Sequence, residues 1–160
     1  TYRIGPIVGG TTTIEPVTTL SLDNVAKITG TLHVQPFYER EITSCLNGIP
    51  FFGDNYVLHN AMSQITFPDL ERVTGDVFIG KYEFCLIDGT CSDQQYNDNL
   101  STVTFGEDIV IEQDLEVKEN AQLPRVSFQR TLSVGGSVTQ GSNGSGFCFQ
   151  SANNAIDPQC

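Results

Sequence analysis

The chain has 160 residues, enough for a single domain that buries roughly two-thirds of its unfolded surface. It carries 8 Lys and Arg against 19 Asp and Glu, so its formal net charge is -11. A surface of this sign repels nucleic-acid phosphates and anionic lipids, and we therefore expect neither nucleic acid nor an acidic membrane as a partner.

The composition favours strands and turns over helices. Trp is absent and Met62 is the single methionine, whereas Thr, Ser, Val and the 15 Gly are suited to strands and the turns between them. No apolar run approaches the roughly 18 residues of a membrane-spanning helix, so we expect no membrane insertion by this segment. The chain begins at Thr1, which we interpret as the start of a mature product or of an internal piece of a longer protein.

One spacing of apolar residues recurs along the chain. A half-copy precedes the first full copy and consists of Val8, Gly10, Thr12 and Ile14. The first full unit, 17–34, has the spacing at Val17, Leu20, Leu22, Val25, Ile28, Gly30, Leu32 and Val34. The second unit, 62–79, repeats it at a constant offset of 45 residues, at Met62, Ile65, Phe67, Leu70, Val73, Gly75, Val77 and Ile79.

The third unit, 100–117, and the fourth, 123–140, start 23 residues apart, which is about the length of one coil of a β-solenoid. In these two units most of the apolar positions of the repeat are kept, whereas the glycine is kept less well. Gln113 replaces the glycine of the third unit, and Asp108 and Thr131 stand where the first two units have an apolar corner residue.

We interpret each unit as one turn of chain around a shared core. Alternation with a period of two indicates short strands with one face inward, the glycine permits a turn, and steps of three mark corners. The sequence thus predicts one all-β domain over 1–160, a β-helix of about four coils. The side chains predicted to point inward are Leu22, Val25, Ile28, Leu70, Val73, Val77, Ile111, Leu115, Val126, Phe128 and Val138.

Two inserts, 35–61 and 80–99, interrupt the repeat at the same position of their units, and an irregular tail follows at 141–160. We expect the inserts to lie side by side. Their aromatic residues predict either a small satellite core or a surface for a protein partner. The candidates for such a surface are Phe37, Tyr38, Phe51, Phe52, Tyr56, Tyr82 and Phe84.

The repeat, written L-x-x-V-x-F-x-x-L-x-x-V-x-G-x-V-x-I-x-x-N-x-x-L, resembles the receptor L-domain family, a leucine-rich-repeat-like group. This family includes the L domains of the insulin and epidermal-growth-factor receptors and fungal GPI-anchored cell-wall proteins. The match is best over 62–79 and 100–138, with Asn120 at the family's asparagine position. The resemblance implies a right-handed, extracellular β-helix used for ligand binding, adhesion or wall architecture, and it implies no catalysis.

Outward carboxylates raise the alternative of a polysaccharide-cleaving β-helix enzyme. Asp76, Glu112, Asp114 and Glu116 fall on outward positions, and the last two share one face like a pair of glycosidase acids. We interpret them as solubilising residues because no further acids and bases gather around them. His33 and His59 have no nucleophile motif nearby and do not sit in zinc-binding spacing, and the cysteines include no C-x-x-C pair. We therefore predict no catalytic, cofactor-binding or metal-binding residue.

Ice binding was tested at the positions that flank the glycine. Ice-binding β-helices stack Thr-x-Thr pairs coil over coil, whereas this chain has Thr29 and Thr31 in the first unit but Glu112 and Asp114 in the third. The row of threonines is not maintained there, and the sequence does not favour an ice-binding function.

Cysteines and glycosylation motifs indicate an oxidising, extracellular compartment. Five cysteines occur without a C-x-x-C pair, and Asn99 and Asn143 each begin an N-glycosylation motif. We predict disulfides between Cys85 and Cys91 and between Cys148 and Cys160, which leaves Cys45 unpaired or bonded to another chain. A bond from Cys45 to Cys85 or Cys91 is the alternative.

Taken together, these features predict a non-enzymatic, secreted structural or scaffold domain in a cell-surface, wall or fibre assembly. Its expected partners are proteins, with copies of itself joined head to tail among them, and it is expected to carry N-linked glycans. A receptor-like module that binds a ligand or carbohydrate is the first alternative, and a polysaccharide-active enzyme is the second.

Overall fold

The structure, a computed structural model, describes residues 18–34, 37–46, 49–59, 62–80, 99–153 and 156–160. Within these ranges the regular elements are fifteen strands, and no helix occurs. The strands are β1 (Thr19–Ser21), β2 (Lys27–Ile28), β3 (Leu32–Val34), β4 (Phe37–Leu46), β5 (Ile49–His59), β6 (Gln64–Phe67), β7 (Arg72–Val73), β8 (Val77–Gly80), β9 (Thr102–Phe105), β10 (Ile109–Ile111), β11 (Leu115–Lys118), β12 (Arg125–Phe128), β13 (Leu132–Val134), β14 (Val138–Gly141) and β15 (Cys148–Ser151).

Twelve of these strands belong to the four repeat units, and each unit contributes one strand to each of three parallel sheets. The first sheet has the order β1-β6-β9-β12-β15, the second β13-β10-β7-β2, and the third β14-β11-β8-β3. Successive units therefore stack on one another through backbone hydrogen bonds. This all-β arrangement of three stacked parallel sheets is compatible with a β-solenoid.

The register of the sheets follows the offsets in the sequence. Leu32 pairs with Val77, Val77 with Leu115, and Leu115 with Val138, so equivalent residues of the four units stand in line. The constant offset of 45 residues between the first two units is likewise present in the first and second sheets. The alignment of the units from apolar spacing is confirmed at these strands.

The core is a column of apolar side chains enclosed by the three sheets. At its centre Phe67, Phe105 and Phe128 stack with nearly parallel rings, with centroid distances of 4.9 Å between the first and second rings and 4.9 Å between the second and third. All three rings are buried. Stacked rings of equal size fill equivalent volumes in successive units, so the core continues without a change of width.

The predicted inward positions are confirmed. Eight of the eleven side chains are buried, and Leu22, Val25 and Val138 are partly buried against the same core. These three belong to the first and fourth units, which have a complete described unit on one side only. Their partial exposure is thus explained by their place in the stack.

One corner differs from the sequence alignment. In the third and fourth units the strands of the second sheet begin with Ile109 and Leu132, which pair with each other and are each 1% exposed. The aligned positions, Asp108 and Thr131, lie at the turn just before these strands. The apolar residue has moved by one position in both units. At the aligned position of the third unit, Asp108 accepts the N–H of Thr131 in the fourth unit instead of entering the core.

The tail 141–160 contains a strand that the repeat did not reveal. β15 continues the first sheet, and Phe149 in it is fully buried. The chain then returns along the outer edge of β15, where the Phe149 N–H donates to the carbonyl of Pro158 at 2.7 Å and the Cys160 N–H donates to the carbonyl of Phe149 at 3.0 Å. The edge of the first sheet is therefore covered by the chain itself.

The tail also closes the end of the second sheet. The Asn153 side chain accepts a hydrogen bond from the Leu132 N–H at 3.4 Å and donates its own Nδ2 to the Leu132 carbonyl at 2.8 Å. The Asn153 amide thus satisfies the backbone N–H and C=O groups of Leu132, which a neighbouring strand would otherwise bind. The predicted disulfide between Cys148 and Cys160 is present, with a Cα–Cα distance of 5.0 Å, and it ties the returning segment to β15.

The first insert forms an antiparallel hairpin of β4 and β5, with register shifts between Arg40 and Ser44. The second insert lies outside the described residues except for its ends, and the prediction that the two inserts lie side by side concerns residues beyond the described ranges. Gly80, where the second insert leaves the third sheet, has φ of 153°, and a Cβ there would overlap the carbonyl of Lys118. Only glycine fits this exit.

Replacing Val73 by Asp is expected to unfold the domain or to lower its free energy of unfolding by several kcal/mol, because an unpaired carboxylate would lie in the fully buried core. The matched control is Val110→Asp, since Val110 lies on the neighbouring strand but points outward and is 42% exposed. Urea unfolding followed by circular dichroism compares the two variants. Equal stability of Val73→Asp and the parent chain would contradict the register.

Candidate functional site

The outward carboxylates, which raised the enzyme alternative, are engaged in contacts within the stack. Arg72 donates its Nε to Glu112 at 2.6 Å and forms an ion pair with it, joining the second and third units. Glu116 pairs with Lys118 at 2.9 Å within β11. These pairs are partly exposed, so each contributes little to stability, but each gives its carboxylate a partner within the fold.

Asp76 and Asp114 lie just before β8 and β11, outside the strands on which the sequence had placed them. An oxygen of Asp76 accepts the Asp114 N–H at 3.1 Å, and an oxygen of Asp114 accepts the Ser137 N–H at 2.6 Å. Each aspartate thus satisfies a backbone donor of the next unit at the same corner. The four carboxylates are engaged in contacts within the fold, an arrangement that favours a structural role over acid–base chemistry.

Asp108 forms the same kind of link at a second corner. One of its oxygens accepts the Thr131 N–H at 2.8 Å. Hydrogen bonds from the backbone and then the side chain of Thr131 lower the pKa of Asp108 below its ordinary value, and the charge of Arg130 acts in the same direction. A carboxylate that accepts such bonds is favoured in its ionised form.

The asparagine identified by the family resemblance is buried and central to a ladder. Asn120 is fully buried, and its Nδ2 donates to the carbonyls of Ile79 at 3.1 Å and Lys118 at 3.0 Å and to Oδ1 of Asn143 at 2.9 Å. Its Oδ1 is buried without a hydrogen-bond partner among the described residues. Asn143 stands 23 residues later and makes the equivalent contact, with the carbonyl of Val117, a repeat that the sequence analysis had not recognised.

The two candidate glycosylation sites differ in their surroundings. Asn99 is exposed, at the end of the second insert. Asn143 is half-buried, and its Nδ2, the atom that would carry the sugar, donates to the carbonyl of Val117 at 2.8 Å. A surface position, which an N-linked glycan needs, is thus found for Asn99, whereas Asn143 is held in the asparagine ladder.

The remaining predicted residues lie where the structure does not describe side chains. Cys85, Cys91, Tyr82 and Phe84 fall within 81–98, outside the described residues. Cys45 and the aromatic residues of the first insert lie in the β4–β5 hairpin, of which only the backbone pairing is described. The pairing of Cys85 with Cys91, the role of Cys45 and the aromatic partner surface all stay predictions.

The outer face of the third sheet carries one of the two histidines considered as catalytic candidates. His33 packs beside Phe78 there, with a centroid distance of 5.8 Å between the two rings. An aromatic neighbour supplies neither a nucleophile nor an acid for the imidazole to work with, so this contact favours a packing role.

The outer face of the first sheet carries a feature that the sequence analysis missed. Its strands are in register, so their outward residues form two rows across the five strands. The hydroxyl row consists of four residues with a hydroxyl, Ser21, Thr66, Thr104 and Ser127, and ends at the amide of Gln150. The mixed row consists of Thr19, Gln64, Thr102, Arg125 and Cys148.

Side-chain hydrogen bonds link the hydroxyl row at its two ends. Thr66 Oγ1 lies 2.9 Å from Ser21 Oγ, and Ser127 Oγ donates to Gln150 Oε1 at 3.2 Å. The sequence test for stacked threonines had used the positions around the glycine. The same comparison at the first strand of each unit would have revealed the row, because the offsets that align the core also align these outward positions.

Among the described residues, no helix has the length and apolar character needed to cross a bilayer. No cluster of three or more His, Cys, Asp or Glu side chains suited to a metal ion occurs in the part of the chain that the structure describes. Comparison of the chain with protein-family models, curated proteins and solved structures found no match.

Replacing Asp108 by Asn is expected to flatten the loss of stability in acid. The folded-state pKa is lowered, so the carboxylate stabilises the fold above its unfolded pKa of about 3.9, and this contribution is lost as the pH falls through the lower folded value. The asparagine amide would keep an acceptor oxygen but would not titrate. Thermal unfolding between about pH 6 and pH 2 measures the slope.

The matched control for this measurement is Glu71→Gln, which removes an exposed carboxylate of the second unit. The slope of the control should follow that of the parent chain more closely than the slope of Asp108→Asn does. Identical slopes for all three proteins would contradict the assignment of acid sensitivity to Asp108.

Proposed function

We propose that the chain is a non-enzymatic, extracellular structural domain that joins a cell-surface, wall or fibre assembly through protein–protein contacts at the end of its stack. In this proposal the three stacked sheets form a right-handed β-helix of about four coils. The neighbour at the end of the stack is a second copy of the chain, joined head to tail.

The observation that carries the proposal is the unequal covering of the fourth unit. The tail covers the edges of the first and second sheets, through β15 with its returning segment and through Asn153. The third sheet ends at β14, and no described strand pairs with its outer edge. Val134 in β13 and Val138 in β14 are only partly buried. An uncovered strand edge next to partly exposed apolar side chains favours pairing with another chain.

The backbone of β14 presents its free groups in an alternating pattern. The N–H groups of Leu115 and Glu119 donate to the carbonyls of Ser137 and Gly141, both at 2.9 Å. The backbone groups of the odd-numbered residues from 137 to 141 therefore face β11. In a parallel ladder the alternate, even-numbered residues direct their N–H and C=O groups away from β11. Val138 and Gln140 therefore direct their backbone groups to the open edge, where a strand of a neighbouring chain would bind.

The contacts of the acidic residues support the non-enzymatic part of the proposal. Asp76, Asp114 and Glu112 hold adjacent units together, and Glu116 is paired within its strand. A glycosidase needs one carboxyl group as an acid and a second as a base or nucleophile, both directed at the substrate. Asp76 and Asp114 instead accept backbone N–H groups of the next unit, which is a structural role.

The assembly is tested by size-exclusion chromatography with light scattering on the full chain. We expect a mass above that of the monomer that rises with concentration. Gln140→Pro should shift the protein toward the monomer, because proline removes the outward N–H of an edge strand without removing a bond to β11. Gln140→Ser keeps the N–H and is the matched control.

A second measurement addresses Cys45, for which we propose a bond to another chain. Non-reducing electrophoresis should show a dimer band in the parent chain that is absent in Cys45→Ser. A parent chain that is monomeric at every accessible concentration, with Cys45 reduced and unreactive, would overturn the proposal of assembly.

A further inference from the structure

We propose that the outer face of the first sheet binds an extended, neutral polysaccharide that lies along the hydroxyl row, with about one sugar residue for each strand. The proposal goes beyond assembly at the end of the stack, because the binding face runs along the side of the domain. It rests on the register, the chemistry and the charge of the two rows.

The register gives the face a regular spacing. Neighbouring strands lie about 4.8 Å apart, and outward residues of one strand lie roughly 7 Å apart along it. The row therefore repeats its polar groups at a distance close to the length of one pyranose residue in an extended chain. A polymer along the row meets an equivalent residue at each step, from Ser21 through Thr66 and Thr104 to Ser127.

The side chains of the row suit sugar hydroxyls. A Ser or Thr hydroxyl has one donor hydrogen and two acceptor lone pairs, so a hydroxyl that bonds to its neighbour keeps capacity for a ligand. The bonds from Thr66 to Ser21 and from Ser127 to Gln150 hold neighbouring side chains in fixed directions. β-Branched Thr66 and Thr104 lose little rotamer freedom when they bind, because their χ1 angles are already restricted.

Charge selects the class of ligand. Neither row contains an Asp or Glu, although the chain has 19 acidic residues, and Arg125 is the one charged residue among the ten positions. The outer faces of the other sheets carry Lys27, Arg72 and Glu116. A neutral polymer avoids the repulsion that the net charge of -11 exerts on an anionic one. For a cationic polymer the two rows themselves supply no carboxylate, and the carboxylate of Asp23 beside the row already accepts a hydrogen bond from the Ser21 hydroxyl at 2.5 Å.

The mixed row favours a polysaccharide over ice. An ice-binding surface presents short side chains in a flat, repeated array, whereas Gln64 and Arg125 are long and interrupt the array next to the hydroxyl row. Long amide and guanidinium groups are compatible with a sugar polymer, because they donate hydrogen bonds to hydroxyls at the side of the chain.

The test uses sedimentation of the full chain with three insoluble neutral probes: microcrystalline cellulose, linear β-1,3-glucan and chitin. A polygalacturonate gel is the anionic comparison. We expect at least one neutral probe to retain the parent chain and the anionic gel not to retain it. The double variant Thr66→Val and Thr104→Val removes two adjacent hydroxyls at nearly constant shape and should weaken retention on the order of tenfold.

The matched control is the double variant Ser133→Ala and Thr139→Val, which removes exposed hydroxyls from the outer faces of the other two sheets and should be retained like the parent chain. Melting temperatures close to that of the parent establish that both double variants fold, and Thr104→Val alone provides a milder variant.

Three outcomes would overturn the proposal: no retention of the parent chain by any neutral probe, equal loss in both double variants, or ice shaping that depends on Thr66 and Thr104 without retention by a glycan. If the Thr66→Val and Thr104→Val variant loses retention but still assembles like the parent chain, polysaccharide binding and assembly are independent of each other.

Discussion

The backbone hydrogen bonds between successive units require equivalent residues of those units to lie in line along the stack. Once Leu32, Val77, Leu115 and Val138 are in register, the residues two positions away are in register as well. The stacked rings of Phe67, Phe105 and Phe128, the asparagine ladder and the hydroxyl row all follow from this single alignment. A shift of one residue would turn the core face of a strand to solvent and break all three features together.

The corners explain part of the acidic composition. At each corner some backbone N–H groups have no strand to pair with, and a side-chain oxygen from an adjacent unit accepts them. Asp69 accepts from the Asn24 N–H at 2.6 Å, and Asp108 and Asp114 likewise accept from a neighbouring unit. Aspartate suits this role because it is short and ionised at neutral pH. The negative charge is therefore built into the links between units as well as into the solvated surface.

The sequence predicted the fold better than the site. Strict period-two alternation and constant offsets were enough to align the strands and to identify residues such as Val73 and Leu115 as core residues. The spacing could not show that Ile109 and Leu132 take over the role of the corner residues. In these two units the turn ends one residue earlier, and the apolar spacing does not show where a turn ends. β15 was missed for a related reason: only Phe149 of its inward positions is apolar, and Ser151 stands where the second, third and fourth units have phenylalanine.

Side-chain chemistry was harder to predict because it depends on which residues become neighbours. Asn143 had a recognisable glycosylation motif, yet its place in the ladder depends on contacts with Asn120 and Val117, which precede it by 23 and 26 residues. The hydroxyl row is likewise invisible in any single strand. The pairing of Cys148 with Cys160 could be predicted because the two residues are close in sequence and share one tail.

The bond between Cys148 and Cys160 has a consequence for how the domain carries mechanical load. Without it, tension on Cys160 would peel the returning segment from β15 one hydrogen bond at a time, beginning with the Cys160 N–H. With it, the tension passes through the sulfur atoms to the first residue of β15, and residues 149–159 are bypassed. The force is then applied to a strand whose neighbour, β12, lies in parallel register along its whole length. We therefore expect the load to fall on the hydrogen bonds between β15 and β12 and not on those of the returning segment.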